Sequence, residues 1–286
     1  MEFLNTLYNL MGLVFVLGTI ISMGLGLTMA QITGPLRNLR FVIMALLANF
    51  VVVPVAAIIL TRIIPLDDAL VTGLILVSLA AGAPGLPKMA EFAKLDTAAA
   101  TGLMVLLVVV TIVVMPIVVP LLATGVSVTF WDIASGLVFL MLIPLALSLF
   151  VRARWESFAA EVRPFFTQAS NLSLLILMVL MVVLNFNNVV GLLGSGGLLV
   201  SLILVILSAA GGYLLGSLGG SQNWVQALGA GQRNIAAAMV VATMNFGNEE
   251  IVMVVVYSLI TLLVMTPLAL ELGKRRAARA EATAKT

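Results

Sequence analysis

Nine long apolar runs follow one another along the chain with only short polar segments between them. A helix needs about 20 apolar residues to cross the hydrocarbon core of a bilayer. Apolar residues make up 62% of the chain and charged residues 9%, whereas soluble domains average about 45–50% and 25%. The sequence therefore predicts an all-α polytopic membrane protein with about nine transmembrane helices. The runs are residues 8–30, 40–61, 68–93, 97–124, 131–151, 165–184, 190–218, 222–246 and 250–272.

This composition argues against several classes of function. It is unlike that of a soluble enzyme, a nucleic-acid-binding protein or a disordered chain. The chain has no Cys for a thiol metal site and no His, which is the commonest metal ligand and proton relay. No pair of carboxylates lies near the middle of a run, so a catalytic constellation is missing. We therefore expect no enzymatic activity, no cofactor and no nucleic-acid partner.

The basic residues are distributed unevenly between the two sides of the membrane. Of the fourteen Lys and Arg residues, all except Arg62 and Arg233 fall on the side that holds the loop at 152–163 and the C-terminal end. Cytoplasmic loops carry such an excess of Lys and Arg. The sequence therefore predicts an external N-terminus, a cytoplasmic C-terminus and a basic cytoplasmic tail at residues 274–286.

Two of the nine runs are interrupted by residues that do not favour helix. The third run contains two glycines and two prolines at residues 82–87, and proline removes a backbone donor and clashes with the preceding turn. The eighth run contains two glycines followed by the polar triplet Gln-Arg-Asn at 232–234. The predicted helix breaks are at Gly82, Pro84, Gly85, Pro87, Gly229 and Gly231.

The positions of the two breaks indicate a transporter. Broken backbone at membrane depth is tolerated only where protein or a water-filled cavity satisfies it. A pair of interrupted segments at matching places in two halves of a chain points to a substrate site. The interrupted runs lie in the middle of two three-run groups, 40–124 and 190–272, and are five runs apart. Because five is odd, the two groups have opposite orientations, which predicts an inverted repeat.

Several motifs in this chain, taken in order and with their spacing, resemble those of the bile acid:sodium symporter family in its bacterial branch. The resemblance covers nearly the whole chain. The motifs are Met-Gly-Leu-Gly-Leu at 23–27 with Pro-Leu-Arg at 35–37, Ala-Asn-Phe at 48–50 with Pro54, the segment 73–77 leading into 82–87, Pro116, and the segment 227–238.

The resemblance implies one transmembrane transporter domain over residues 1–273, in the nine-span form of the family. A panel (8–30 and 131–184) would pack against a core (40–124 and 190–272) in which the two broken helices cross. It also implies secondary active transport of a small organic anion by alternating access. The expected location is the bacterial cytoplasmic (inner) membrane. The expected partners are the anion and the lipid bilayer, and the expected state is a monomer or weak homodimer.

The positions that bind sodium in the family carry other residue types here. None of the twelve acidic residues lies at mid-span near a break. An Arg at the bilayer centre costs about 2.5–3.5 kcal/mol on insertion scales, and Arg233 would repel a neighbouring cation. We therefore predict no metal site and no classical sodium coupling. The family sodium positions correspond to Leu86, Pro87, Ala100, Met104, Gly229 and Arg233.

The central hypothesis is that Arg233 replaces the sodium ions by donating to backbone carbonyls at Gly82–Gly85. It also presents donors to an anionic substrate, unless its role is purely structural. Two alternatives remain open: a sodium-coupled symporter with other ligands, and a membrane receptor that binds without transport. Ser170 and Asn171 either line the cavity or bond a neighbouring helix. The predicted substrate-binding residues are Arg233, Asn234, Gln232, Pro84, Gly85 and Asn49.

Overall fold

A computed structural model describes residues 2–34, 37–122, 128–184, 194–219 and 222–284 of the 286. Helices are the only regular elements in these ranges. Residues 35–36 of the first family motif and residues 190–193 of the seventh predicted run lie outside the described residues. The helices are α1 (Glu2–Gly26), α2 (Met29–Thr33), α3 (Leu39–Ile63), α4 (Asp68–Leu79), α5 (Leu86–Phe92), α6 (Thr97–Leu122), α7 (Phe130–Arg154), α8 (Glu156–Leu184), α9 (Gly197–Gly219), α10 (Asn223–Gly231), α11 (Ile235–Asn245) and α12 (Asn248–Ala284).

The long helices have the length and composition of membrane spans. Among the described residues, six helices are long and apolar enough to cross a bilayer, namely α1, α3, α6, α7, α9 and α12. The prediction of an all-α, multi-pass membrane protein is therefore confirmed. The count of nine spans stays a prediction. It assigns the three spans beyond these six to α8, to the interrupted pair α4 and α5, and to the interrupted pair α10 and α11.

Both interruptions are present in the structure, at positions slightly different from those expected. The first separates α4 from α5 and contains Gly82, whose φ of +84° lies in the left-handed region that favours glycine. Pro87 lies in the first turn of α5, where a missing N–H leaves no hydrogen bond unmade. Gly229 and Gly231 belong to the last turn of α10. The second break therefore falls on residues 232–234 rather than on these two glycines.

The two interrupted helices cross each other with their breaks in contact. The half-helix α10 packs on α5, and the half-helix α11 packs on α4, so each half meets the opposite half of its partner. At the crossing point the backbone N–H of Asn234 donates to the carbonyl of Ala80 at 2.8 Å. This arrangement fits two segments of opposite orientation. The wider inverted repeat stays a prediction.

Helix α1 packs along α8 and α7. Its hydroxyls meet those of α8 in two pairs, Thr19 with Ser170 at 2.5 Å and Ser22 with Thr167 at 2.6 Å. Ser170 therefore bonds a neighbouring helix, whereas Asn171 is exposed on the outer face of α8. These three helices correspond to the panel expected from the resemblance, and the division into panel and core stays a prediction.

The predicted basic tail continues α12 as far as Ala284. Arg276 on this extension donates from Nε to the carbonyl of Lys94 at 3.1 Å. Lys94 follows α5 and has a positive φ of 52°. The tail therefore contacts the end of the first interrupted helix.

The first break offers a matched pair of glycines. We expect Gly82→Ala to lower the free energy of unfolding by about 3 kcal/mol, because φ is positive and a Cβ would lie 2.5 Å from the backbone N of Val108. Gly85 has a φ of −78° and no atom within 4 Å of its Cβ position, so Gly85→Ala should leave stability unchanged. Thermal unfolding in detergent measures both. Equal stability of the two variants would contradict the described geometry of the break.

Candidate functional site

The carbonyls of residues 76–81, at the end of α4 and the start of the break, all find donors. The last four carbonyls of a helix have no partner within that helix. In this chain the N–H of Ala80 serves two of them, and Ala81 N–H donates to the carbonyl of Leu79. Thr111 on α6 both donates to the carbonyl of Ala81 and accepts from its N–H, at 3.1 Å and 3.0 Å. With the bond from Asn234 to Ala80, the carbonyl of Ser78 is left without a donor, and the carbonyl of Val77, already bonded to the N–H of Ala80, faces the same further donor.

That further donor is the guanidinium of Arg233, which is 3% exposed. Its Nε donates to the carbonyl of Val77 at 3.1 Å, and Nη2 donates to the carbonyl of Ser78. Nη1 donates to Oδ1 of Asn49 at 2.9 Å and to the carbonyl of Ala230 at 3.3 Å. Nη2 also reaches the carbonyl of Asn49 at 3.5 Å. A guanidinium has five N–H donors, so every donor of Arg233 is used within the protein.

The charge of Arg233 is balanced by helix ends rather than by a carboxylate. Within the described part of the chain, Arg233 forms no ion pair. Val77 and Ser78 belong to the last turn of α4, and Ala230 belongs to the last turn of α10. The C-terminus of a helix carries a partial negative charge of about half an elementary charge. Two such ends therefore converge on one cation.

Asn49 accepts from Arg233 because α3 contains one wider turn. Residues 48–52 form a π-helical turn in which the N–H of Val53 donates to the carbonyl of Ala48, five residues back. The next donor in this register would be Pro54, which has no N–H, so the carbonyl of Asn49 is left free. The side-chain Nδ2 of Asn49 donates to the carbonyl of Ala45 at 2.9 Å, which turns its Oδ1 towards Arg233. Single π-helical turns occur frequently at functional sites.

The bridging role predicted for Arg233 is present, but its predicted acceptors at Gly82–Gly85 are wrong. The acceptors lie one turn earlier, at the end of α4, where the carbonyl of Ser78 has no backbone donor and the carbonyl of Val77 accepts from the N–H of Ala80 as well as from Arg233. Gly82 packs closely against α6, and Gly85 is exposed with open space around its Cβ position. Pro84 is half-buried beside Gly85. The structure thus brings Asn49, Arg233 and the first break together and leaves residues 84–85 outside this network.

Asn234 and Gln232 are buried beside Arg233 and each keeps one unsatisfied polar atom. Oδ1 of Asn234 caps α11 by accepting from the N–H of Ala237 at 3.1 Å. This bond fixes the amide orientation and leaves Nδ2 without a partner. Oε1 of Gln232 is likewise buried without a partner. Asn234 therefore offers a free donor next to a positive charge, whereas Arg233 does not offer one.

Of the residues that the sequence analysis assigned to family sodium positions, most are apolar and packed. Leu86, Ala100 and Met104 are almost completely buried. A Cβ added to Gly229 would lie 2.8 Å from Cδ2 of Leu103 and 3.4 Å from Cδ2 of Leu86. Sodium ions prefer oxygen ligands, and these side chains supply none. The residues present at these positions do not fit a sodium site.

Three further features of this region were missed by the sequence analysis. Thr111, in an otherwise apolar run, bonds the N–H and the carbonyl of Ala81 in the first break. Its isolated hydroxyl in the middle of that run is the signal that could have identified it. Tyr257 is fully buried and lies close enough to Arg233 for electrostatic interaction. A cavity of about 340 Å³ between α1 and α11 is lined by Tyr8, Asn9 and Thr243 among others, and by none of the predicted substrate residues.

The model of the sodium bile acid symporter family matches residues 11–192, which is more than half of the chain. The matched region includes Asn49 and the first break, and it ends before the second break and Arg233. A search of curated proteins found no match to the chain.

The bridge formed by Arg233 can be tested by a change that keeps its charge. Lys has three donors on a point-like ammonium and cannot span Asn49, Val77 and Ala230 at once. We expect Arg233→Lys to lower the free energy of unfolding by about 3 kcal/mol, since at least two buried bonds to a charged group are lost. Thermal unfolding of purified protein measures this loss.

Arg154→Lys serves as the matched control, because Arg154 is exposed at the end of α7. Its unfolding temperature should equal that of the unsubstituted protein. If Arg233→Lys were as stable as this control, the five-bond bridge would not hold the crossing helices together.

Proposed function

The chain belongs to the sodium bile acid symporter family, and on this premise we propose that it is a secondary transporter of a small organic anion that works by alternating access without classical sodium coupling. The proposed membrane is the bacterial cytoplasmic membrane, with the N-terminus outside and the C-terminus in the cytoplasm. The excess of Lys and Arg on one side of the chain supports this orientation.

The observation that carries the proposal is the position of the Arg233 guanidinium between two half-helix C-termini. In transporters with broken helices, such ends and the unwound carbonyls beside them coordinate the coupling cation. Here the protein's own side chain donates to those carbonyls. A covalently attached cation cannot be exchanged with solvent, so it stabilises the crossing in every step of the cycle. The crossing then needs no sodium ion to form.

The bridge also supports movement of the two broken helices as one unit. Arg233 ties α4 to α10, and the Asn234–Ala80 backbone bond ties the two breaks directly. Alternating access is largely a rigid-body movement of one bundle against another around a fixed site. A crossing held by internal bonds is suited to such a movement, because the bonds move with the bundle.

We propose that the anion is recognised by Asn234 directly and by Arg233 through its field. Nδ2 of Asn234 is the buried donor that has no protein partner. Arg233 contributes a positive charge that no carboxylate of the described chain neutralises, although its N–H groups are occupied. The N-terminus of α11 adds positive partial charge at the same place. The cavity between α1 and α11, at about 340 Å³, is of a size that suits a small carboxylate and would be the outer approach to this site.

Flux measurements in liposomes test the ion dependence. We expect purified protein to exchange a small organic carboxylate across the membrane at rates that differ by less than about twofold between sodium and potassium buffers, because the cation site is already filled. Counterflow of a radiolabelled carboxylate measures this rate. A requirement for sodium would support the alternative of a symporter with other ligands, and binding without counterflow would support a receptor.

A single substitution tests the proposed role of Asn234 in recognition. Asn234→Asp keeps the oxygen that caps α11 and replaces the free donor by an oxygen that repels an anion. Because Asn234 is fully buried and a carboxylate there changes stability, affinity is measured on protein that thermal unfolding shows to be folded, and we expect at least a tenfold weaker apparent affinity for the anion. The control is Asn245→Asp at the other end of α11, where Nδ2 donates within the helix. Equal affinity of the two variants would contradict the assignment of Asn234 to the substrate.

A further inference from the structure

A second polar cavity lies at the basic side of the protein, where α1 and α7 end and α8 begins. Its volume is about 510 Å³. It is formed by helices of the α1, α7 and α8 group, and no residue of either helix break lines it. The residues that line it include Leu25, Gly26, Arg152, Arg163, Thr167 and Gln168.

The cavity carries a net positive charge. Arg152 forms an ion pair with Glu156 at 2.7 Å. The side chain of Arg163 has no hydrogen bond and no ion pair within the described chain, although it lines the cavity. An unpaired guanidinium in a concave site favours an anionic ligand, because its hydrogen bonds to phosphate or carboxylate oxygens are charge-assisted and can be bidentate.

The guanidinium of Arg163 is positioned by a glycine at the end of α1. A Cβ at Gly26 would lie 2.5 Å from Cζ and 2.6 Å from Nε of Arg163, so any larger residue would displace the group. The C-terminus of α1 also attracts a cation through its partial negative charge. Arg163 is therefore held in the cavity while its charge is not neutralised by a carboxylate.

The surroundings of the cavity have the composition of a membrane–water interface. Trp155, Phe150 and Phe158 are each more than half exposed next to the end of α7. Trp is enriched at the level of lipid headgroups, and exposed Phe suits contact with acyl chains. A ligand that fits both features has a negatively charged head and an apolar body.

We propose that this cavity binds the headgroup of an anionic phospholipid, in the leaflet that the basic residues identify as cytoplasmic. Arg163 and Arg152 donate to the phosphate oxygens, and the amide of Gln168 bonds the polar part of the headgroup. The acyl chains lie along the exposed aromatic side chains near the end of α7. The site would anchor the α1, α7 and α8 group in the bilayer while the crossing helices move.

The experiment is a lipid titration of the purified full-length protein in a neutral detergent, read out as the unfolding temperature. Phosphatidylglycerol is the test lipid, phosphatidylcholine is the zwitterionic control, and inorganic phosphate is the soluble anion. The variants are Arg163→Gln and Gly26→Ala, which displaces the guanidinium without removing its charge. Arg154→Gln is the matched control, because Arg154 is exposed and does not line the cavity.

We expect phosphatidylglycerol to stabilise the unsubstituted protein and Arg154→Gln alike. Binding to Arg163→Gln should be roughly fivefold weaker, the factor that corresponds to ~1 kcal/mol for one basic residue near an anionic lipid surface. Gly26→Ala should weaken binding in the same direction. The proposal is overturned if phosphatidylcholine stabilises equally, or if both cavity variants respond as Arg154→Gln does. An equal, Arg163-dependent shift with inorganic phosphate alone also overturns it, since the ligand is then a free anion.

Discussion

The structure depends on one buried cation that has no carboxylate partner. Two helices are broken at the same depth, and each break leaves carbonyls that cannot be satisfied by their own helix. In the hydrocarbon region every such group must find a partner inside the protein. Arg233 supplies five donors at the crossing point and connects α3, α4 and α10 through them. The energetic cost of burying the charge is offset by these bonds and by two helix dipoles.

In the proposed function this arrangement links chemistry to mechanism, because Arg233 would place a fixed charge where an ion-coupled transporter needs an exchangeable one. The close apolar packing of Leu86 and Leu103 on Gly229 fits the same proposal, because it leaves no oxygen ligand among these three side chains. Once the cation is covalent, the oxygen ligands of a mobile ion have no function and can be replaced by packing. The buried amide nitrogen of Asn234, which has no partner in the protein, is then the polar group that we propose for ligand recognition. The proposal thus combines transport of an anion with the absence of sodium coupling within one fold.

Much of this architecture could be predicted from the sequence, because it is encoded locally. The apolar runs predicted a multi-pass membrane protein, and the Gly- and Pro-containing segment 82–87 predicted the first break. The second break was predicted at Gly229 and Gly231 and lies just after them, at 232–234. The acceptors of Arg233 could not be predicted, because they depend on which helix end lies nearest in space. The role of Asn49 depends on the π-helical turn at residues 48–52. The hydrogen-bond register of this turn is visible in the structure and not in the sequence. Thr111 was missed because its partner, Ala81, is 30 residues away in the sequence.

The central claim is that Arg233 takes the place of sodium, and equilibrium binding of radioactive sodium to the purified protein tests it most directly. The account predicts no saturable sodium binding to the unsubstituted protein over the millimolar range, with or without an anionic ligand. Saturable binding of one or more sodium ions per protein, in the presence of an intact Arg233, would contradict it.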